Sequence, residues 1–372
     1  MAISVGIRGA GAAGLSLARA LLHRIPSVEI TVFDKRERLP HPKRTFCFFS
    51  DSRSSCDPPP SHLWKAVSFS GTDFCRTIDC STTPYSLIEG DAFFSKLLVD
   101  LESQGVQFHW GCQQTEVRDH RILTNLAGHT FDFVIDAAFE PASRQATLWQ
   151  SFAGIWVEAG HTVFNPDEAI LMDLGESSYS SPISFIYLLP TSGTTALIEH
   201  TSFSRKPMSK EWHLAECRRW IASKGLSGIS ERNIENGAIP MGLIPEDGAS
   251  KNLRVGSAGG AIRISTGFAF QAIQAQVDDI AMKIAGASDN KGSRQIQQPS
   301  VFPAWMRLCD SLFIQALSRA PENGGMIMGQ LLRRAPAREL IAFLSGNASF
   351  FQALQVMITV PKATMLRALC LG

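Results

Sequence analysis

The chain has 372 residues, 45% of them hydrophobic, enough to bury a sizeable core in one large or two interleaved domains. Lys+Arg 35 against Asp+Glu 34 leaves a net charge of +1, and with no long basic run this excludes an electrostatic footprint for nucleic acid. No stretch approaches the ~18 consecutive apolar residues of a membrane-spanning helix, and the 8 scattered cysteines, with no CxxC and no paired histidine spacing, exclude a zinc site and read as reduced thiols. The first strand begins almost at the N-terminus and leaves no room for a signal or transit peptide, so a cytoplasmic protein is expected.

Ser4-Val5-Gly6-Ile7-Arg8 reads as a strand, Gly9-Ala10-Gly11-Ala12-Ala13-Gly14 as a tight turn, and Leu15 to Leu22 as a helix. In such a turn Gly9 takes the unusual backbone angles, Gly11 lets the main chain approach a pyrophosphate, and Gly14 lets the helix lie close on the sheet. The helix start then offers free N–H groups to the phosphates. A second apolar run, Val28 to Phe33, ends in Asp34, about 20 residues beyond the last glycine, where a ribose-binding carboxylate belongs. Together these define a dinucleotide site; the alternative is a ligand-free β–α turn in which Asp34 merely ends a strand.

A polar, proline-broken loop and Arg44-Thr45-Phe46-Cys47-Phe48-Phe49 follow, then a Ser/Asp/Pro-rich loop from Ser50 to Ser61. Trp64 to Ile78 is β-like, and Ile88 to Leu101 is helical, with Phe93, Phe94, Leu97, Leu98 and Leu101 on one stripe. Val106 to Trp110, Arg121 to Thr124 and Phe131 to Ala138 read as strands, the last ending near the nucleotide. From Trp149 to Ile198 four strands (Gly154 to Val157, Ala169 to Leu171, Ile183 to Leu189, Thr195 to Ile198) point to a second, antiparallel sheet. A helix over Trp212 to Lys224, a strand over Glu235 to Pro240, a strand and glycine turn over Leu253 to Gly260, a long helix from Gly267 to Gly286 and a largely helical tail from Phe302 to Cys370 complete the reading.

These stretches resemble the flavin-dependent lycopene β-cyclase family, in its bacterial form, along nearly the whole chain. The resemblance is carried by Arg44 to Phe48, Trp149 to Gly154, Phe185 to Pro190, Ala196 to Ser204, Gly237 to Met241, Gly256 to Phe270, Phe343 to Gly346 and Val360 to Lys362. It implies an α/β fold on the two-domain plan of flavin hydroxylases: a Rossmann-like FAD-binding domain (1–50, 86–145 and 250–290), an antiparallel β-sheet substrate domain (51–85 and 146–249) and a C-terminal helical region (300–372). By the same resemblance Gly9, Gly11, Gly14 and Asp34 hold the ADP half of FAD, and Ala12, Ala13, Lys35 and Arg44 also belong to the cofactor site. Gly256, Ala258, Gly259, Gly260, Thr266 and Gly267 line its isoalloxazine side. Glu199, in Ile198-Glu199-His200-Thr201, occupies the position of the family's catalytic carboxylate. Phe46, Phe48, Trp149, Phe152, Tyr187, His200 and Phe268 are the candidates for facing substrate, and Asp173 matches a family position that a structural acceptor would also fill.

The implied reaction needs such an acid. Ring closure on an acyclic isoprenoid starts by protonating an unactivated alkene, so the donor must be neutral beforehand and shielded from water. Burial in an apolar wall raises a carboxyl pKa, and Glu199 follows the apolar strand Thr195 to Ile198. Reduced FAD, with NAD(P)H as an electron source, is the implied cofactor; ring faces suit a cationic polyene.

The sequence departs from the family pattern at Ala137-Ala138-Phe139 after Asp136, where arginine and glycine are usual, and at His200, Ile264 and Phe268. These departures leave open a polyprenyl or terpenoid substrate other than lycopene. The rival functions are a flavin monooxygenase, against which Gly256-Ser257 stands where Gly-Asp is usual, and a non-catalytic flavin- or lipid-binding homologue. Because the implied substrate is so apolar, peripheral contact with the inner face of the membrane is expected through the C-terminal helices around Phe343 to Met357.

Overall fold

The computed structural model describes residues 2–38, 43–50, 58–113, 115–125, 127–140, 146–175, 182–242, 252–289 and 296–370. The central strand of the first layer is Ser4–Arg8, and the order around it is Leu253–Arg254, Phe133–Asp136, Ser4–Arg8, Glu29–Phe33, Gln107–His109, all parallel. A parallel sheet must be covered on both faces. On one face helices Ala12–Arg24, Gly90–Ser103 and Phe270–Asp289 supply the leucine, isoleucine and phenylalanine cover. On the other, an antiparallel meander, Thr115–Arg118, Arg121–Thr124 and Gly128–Thr130, closes over Phe33 and Val134 through Ile122.

The second layer is a seven-stranded sheet in the order Ile229–Met241, Leu148–Ala159, Thr195–Ser204, Ile183–Pro190, Glu168–Asp173, Ala66–Gly71, Phe74–Asp79. Only the pairing of Glu168–Asp173 with Ala66–Gly71 is parallel. Strict alternation gives this sheet two apolar faces. Ala153, Ile155, Val157, Ala196 and Ile198 face helix Lys210–Ser223 through Leu214 and Cys217. Leu148, Phe185, Tyr187, Leu197 and Phe203 face the other way, toward the helical tail and its Ile314, Met328, Leu331 and Leu344.

A small sheet, Thr45–Phe49, Tyr85–Glu89 and His62–Trp64, joins the layers. Its first strand divides its side chains between two cores, Phe46 and Phe48 into the first and Cys47 and Phe49 into the second. The tail is five helices, Ala304–Arg319, Gly324–Arg334, Ala337–Ser345, Phe350–Met357 and Lys362–Cys370. A buried pair, Arg263 Nε and Nη2 to the Asp310 carboxylate at 3.1 and 3.0 Å, ties the loop before helix Phe270–Asp289 to the first tail helix.

Two readings of the sequence change in detail. The strand expected at Gly154 to Val157 runs the full length of Leu148–Ala159, because it is central in its sheet and pairs on both edges. The helix expected from Gly267 starts at Phe270, because Gly267 takes φ +73°, outside helical space. No described helix is long and apolar enough to cross a membrane; the bent pair Ala337–Ser345 and Phe350–Met357 passes that test only when joined.

Candidate active site

The glycine turn sits where strand Ser4–Arg8 meets helix Ala12–Arg24. Gly9 has φ +105°, and a Cβ there would lie 2.9 Å from the Ala138 backbone nitrogen. A Cβ on Gly14 would collide with the Gly9 carbonyl oxygen. Gly11 differs: nothing lies within 4 Å of a Cβ placed on it, so the main chain presents an open face beside the helix start. This is the cradle a pyrophosphate needs, and Ala12 and Ala13 open the helix behind it.

Asp34 ends the next strand and is buried. Its carboxylate accepts from the Ala10 N–H at 2.6 Å and from Arg36 through the backbone N–H, Nε and Nη2 at 2.8, 2.8 and 2.7 Å. Burial alone would raise its pKa; the Arg36 bonds and charge outweigh that and hold it below the ordinary value. Asp34 thus clamps the turn, and a ribose hydroxyl would share it with Arg36. Arg44 lies close enough to Arg36 to feel its charge, and burial together with that repulsion lowers the Arg44 pKa. Two neighbouring cations beside a phosphate cradle fit a pyrophosphate well. Lys35 is exposed and paired with Glu140 at 2.9 Å.

The second glycine cluster forms a 3-10 turn, Gly256–Gly259, held at both ends by Gln276, which accepts from the Gly256 N–H at 2.8 Å and donates to the Gly259 carbonyl at 2.7 Å. Gly256 packs on Ala13, with 2.5 Å between a Cβ at 256 and that of Ala13, so the two glycine clusters and Ala258 share one end of the parallel sheet. Gly260 and Gly267 have φ +77° and +73°. A Cβ on Gly267 would come 2.7 Å from Gln150 Oε1, so the loop carrying Thr266 rests directly on the second sheet.

On that sheet, register places four residues in a row across neighbouring strands: Glu235 opposite Gly154, Gly154 opposite Glu199, and Glu199 opposite Tyr187. All four share the face turned toward the helical tail. Glu199 is surrounded by protein yet partly accessible. Among the described residues its one hydrogen bond comes from the Thr201 hydroxyl at 3.1 Å. Burial, reinforced by the nearby Glu235 charge, pushes its pKa up to about 8. The Cys47 and Tyr85 groups lie near enough to feel Glu199, and burial drives both well above their ordinary values.

Between this face and the tail helices lies a cavity of about 420 Å³, within the usual range for small-molecule sites of roughly 300–1,000 Å³. Tyr187, Phe185 and Phe203 floor it; Met328, Leu331 and Phe343 are among the residues that roof it; Gln150, Ser265 and Thr266 close the end near the glycine loop. Glu199 is not part of its lining, but its cross-strand partner Tyr187 is. Among the described residues Gln150 Oε1 and Ser265 Oγ are buried without a protein partner, a costly state unless a ligand uses them. The residues present therefore fit a flavin ring bounded by this loop and an apolar chain beyond it.

The structure sorts the aromatic candidates. Tyr187 lines the cavity. Phe152 shares the face of Glu199, its ring over Gly237. Phe46 and Phe48 do not face it: alternation turns them into the first core, where they pack on Phe93 and Phe270 with ring centroids 5.0 to 5.6 Å apart. Phe268 packs on Phe49 and Tyr85, at 6.4 Å from each ring. Trp149 and His200 fall on the opposite face of the sheet, one residue out of phase with Glu199. His200 Nδ1 meets His213 Nδ1 at 2.9 Å beneath helix Lys210–Ser223, which corrects its assignment to substrate. Asp173 is a structural acceptor, taking the Ser70 hydroxyl at 2.9 Å and the Trp220 indole N–H at 2.8 Å. Unforeseen were Gln150, Ser265, Glu235 and the cavity side chains of the tail. Glu235 sits two residues before Gly237 to Met241, and an acid inside an otherwise β-like stretch was its one signal.

A parallel nucleotide-type sheet, an antiparallel second sheet and a helical tail define the two-domain fold of FAD-dependent hydroxylases and oxidoreductases. The chain belongs to the lycopene cyclase family: the family model described as lycopene cyclase protein matches residues 5–370. No curated protein matches the sequence. Among solved structures, a geranylgeranyl bacteriochlorophyll reductase-like protein from Thermoplasma acidophilum superposes with a TM-score of 0.64 at 13% identity, over 100% of this chain and 99% of that one. A mutant of the halogenase PltM in complex with FAD gives 0.59 at 13% identity, over 99% and 92%. A 2-methyl-3-hydroxypyridine-5-carboxylic acid oxygenase gives 0.56 at 12% identity, over 94% and 98%.

Proposed function

We propose that this protein is an FAD-dependent, non-redox cyclase that closes a ring at the end of an acyclic isoprenoid, lycopene or a related polyprenyl or terpenoid chain. The observation that carries the reading is Glu199, a carboxyl with a pKa of about 8 beside an apolar cavity floored by its neighbour Tyr187. An acid of that kind is still protonated at neutral pH and can give its proton to an alkene.

The glycine turn, Arg44 and Arg36 hold the pyrophosphate of FAD, and the loop from Gly256 to Gly267 bounds its ring. Bound and reduced, with NAD(P)H as the electron source, the flavin supplies an electron-rich face that stabilises positive charge beside it. Glu199 transfers its proton to a terminal trisubstituted alkene, forming a C–H bond and a tertiary cation. The next double bond attacks that cation and closes the ring, and a neighbouring C–H proton returns to the Glu199 carboxylate. Nothing is gained or lost, so the product is an isomer of the substrate. The dry, aromatic floor of Tyr187, Phe185 and Phe203 keeps water from the cation.

The substrate partitions into lipid, and the exposed apolar side chains of the tail helices support a peripheral position on the inner face of the membrane. The test is product analysis with anaerobically reduced, FAD-loaded protein and a panel of acyclic isoprenoids including lycopene. Ring formation without net NAD(P)H consumption, lost at least about 100-fold in Glu199→Gln, is the expected result. Oxygenated products with stoichiometric use of oxygen and NAD(P)H would instead make it a monooxygenase. Full activity in Glu199→Gln would remove the proposed acid.

A further inference from the structure

Glu235 is a buried acid that ties distant parts of the chain together. Its carboxylate accepts from the Thr45 backbone N–H at 2.8 Å, the Thr45 hydroxyl at 2.6 Å and the Trp156 indole N–H at 3.0 Å. These donors are neutral, and among the described residues no ion pair forms on it. Taking that charge out of water is costly, and the three donors together with the nearby Arg44 charge offset the cost.

Glu235 and Glu199 stand on either side of the same residue, Gly154, on one face. Strands lie about 4.8 Å apart, so the two backbones are roughly 10 Å apart, and glycine at 154 adds no side chain of its own between them, Leu197 Cδ1 lying over that position. Burial raises the Glu235 pKa as well, and its donors pull it back only in part, but Glu235 has three donors against one on Glu199, so of the two it is Glu235 that holds the negative charge and Glu199 the proton. The other titratable groups facing Glu199 are Cys47, Tyr85 and Tyr187, with Cys217 behind the sheet. Burial pushes all four further from ionising, so they carry no charge to compete. Around Glu235 the remaining charges are Arg44 and Asp91.

We propose that Glu235 is a positioning residue of the active site: a fixed anion, anchored by Thr45 and Trp156, that acts across Gly154 to keep Glu199 in its acid form and to favour return of the proton after ring closure. The inference rests on the reading of Glu199 as the proton donor. It also gives strand Thr45–Phe49 a part in the chemistry, since the donor that fixes the anion comes from the sheet joining the two domains.

The test is the titration midpoint of Glu199, followed by carboxyl ¹³C NMR of glutamate-labelled, FAD-loaded protein and assigned with Glu199→Gln. In wild type it is expected near pH 8. In Glu235→Gln it falls by about one pH unit or more, a tenfold change in proton affinity, and the alkaline limb of ring formation moves down with it. Glu235→Asp, which keeps the charge, restores most of the midpoint. If Glu235→Gln does not fold, Trp156→Phe removes one donor from Glu235 and moves the midpoint the same way by a smaller amount. A midpoint unchanged in Glu235→Gln, or in Trp156→Phe where that variant stands in, overturns the proposal. Absence of ring formation in wild type would instead defeat the reading of Glu199, while the titration would still decide whether the two carboxyls are coupled.

Discussion

Gly154 and Glu199 face one another across adjacent antiparallel strands, and a Cβ at position 154 would come 3.1 Å from the Glu199 Cβ and 2.8 Å from Leu197 Cδ1. The pocket that holds the acid is therefore made by a missing side chain. Gly154→Val pushes Leu197 and Glu199 from their places and overpacks the sheet, at a cost of about 1–3 kcal/mol. Thermal unfolding is expected to fall by several degrees, with ring formation reduced well beyond what the stability loss explains. A Gly154→Val protein that cyclises at the wild-type rate would show that the close approach is unnecessary.

Gly11 and Gly14 separate folding from cofactor binding. A Cβ on Gly14 meets the Gly9 carbonyl, whereas one on Gly11 meets nothing. Gly11→Val is expected to fold with near wild-type thermal stability when both proteins are stripped of flavin, yet to lose bound flavin, read from visible absorbance after desalting. Gly14→Val is expected to lose stability in the stripped protein as well. Equal flavin content in Gly11→Val and wild type would place the pyrophosphate elsewhere.

These two sites also mark what the sequence discloses. The glycine turn is legible because its spacing is local: three glycines, a following helix and Asp34 at the next strand end all lie within one β–α–β unit. Glu199 is legible as a residue type following an apolar strand. Its environment is not, because Gly154, Tyr187 and Glu235 reach it only through strand register, set by pairings between distant segments. His200 and Trp149 fail for the same reason, since one residue of phase moves a side chain through the sheet. Phe46 and Phe48 fail because an aromatic strand serving two cores looks the same, in sequence, as one serving a cavity. The tail's apolar spacing predicts helices but cannot say which of their side chains roof a cavity.

The histidine pair under helix Lys210–Ser223 sets the acid limit of stability. Burial lowers the pKa of His200 to about 3, helped by the charges of His213 and Arg219, and burial lowers that of His213 to about 4. In the unfolded chain both titrate near the ordinary histidine value of about 6.5. Between about pH 6.5 and 4 the unfolded state therefore binds more protons than the folded one, and stability falls as the pH falls. His213→Gln is expected to flatten the pH dependence of thermal unfolding across this window. His200→Gln should do so too, with ring formation at pH 7 kept within about threefold, since His200 is on the face away from Glu199. An unfolding temperature with the same pH slope in both variants as in wild type would contradict the buried, neutral state of the pair.

The tail divides the apolar stripe expected at the membrane into two parts. Phe343 and Met357 turn inward and line the cavity, while Phe350, Phe351, Leu354 and Ile358 turn outward, Phe351 being 75% exposed. Leu366, 62% exposed, also lines the cavity, and exposed Lys362 lines the same wall. An apolar chain leaving a bilayer is expected to enter past Leu366 toward the floor at Tyr187, with the exposed Lys362 and Arg367 available to anionic headgroups. Inserting a large apolar side chain is worth roughly 1.5–3 kcal/mol, so Phe351→Glu with Ile358→Glu should weaken binding to phosphatidylglycerol-containing vesicles by about 100-fold or more in flotation. Val99→Glu, equally exposed at 63% but on helix Gly90–Ser103, should leave flotation unchanged. The tail double variant should still cyclise detergent-dispersed substrate, because the residues beside Glu199 are untouched. Flotation that survives the double variant, or is lost equally with Val99→Glu, would show that the tail does not carry the protein to lipid.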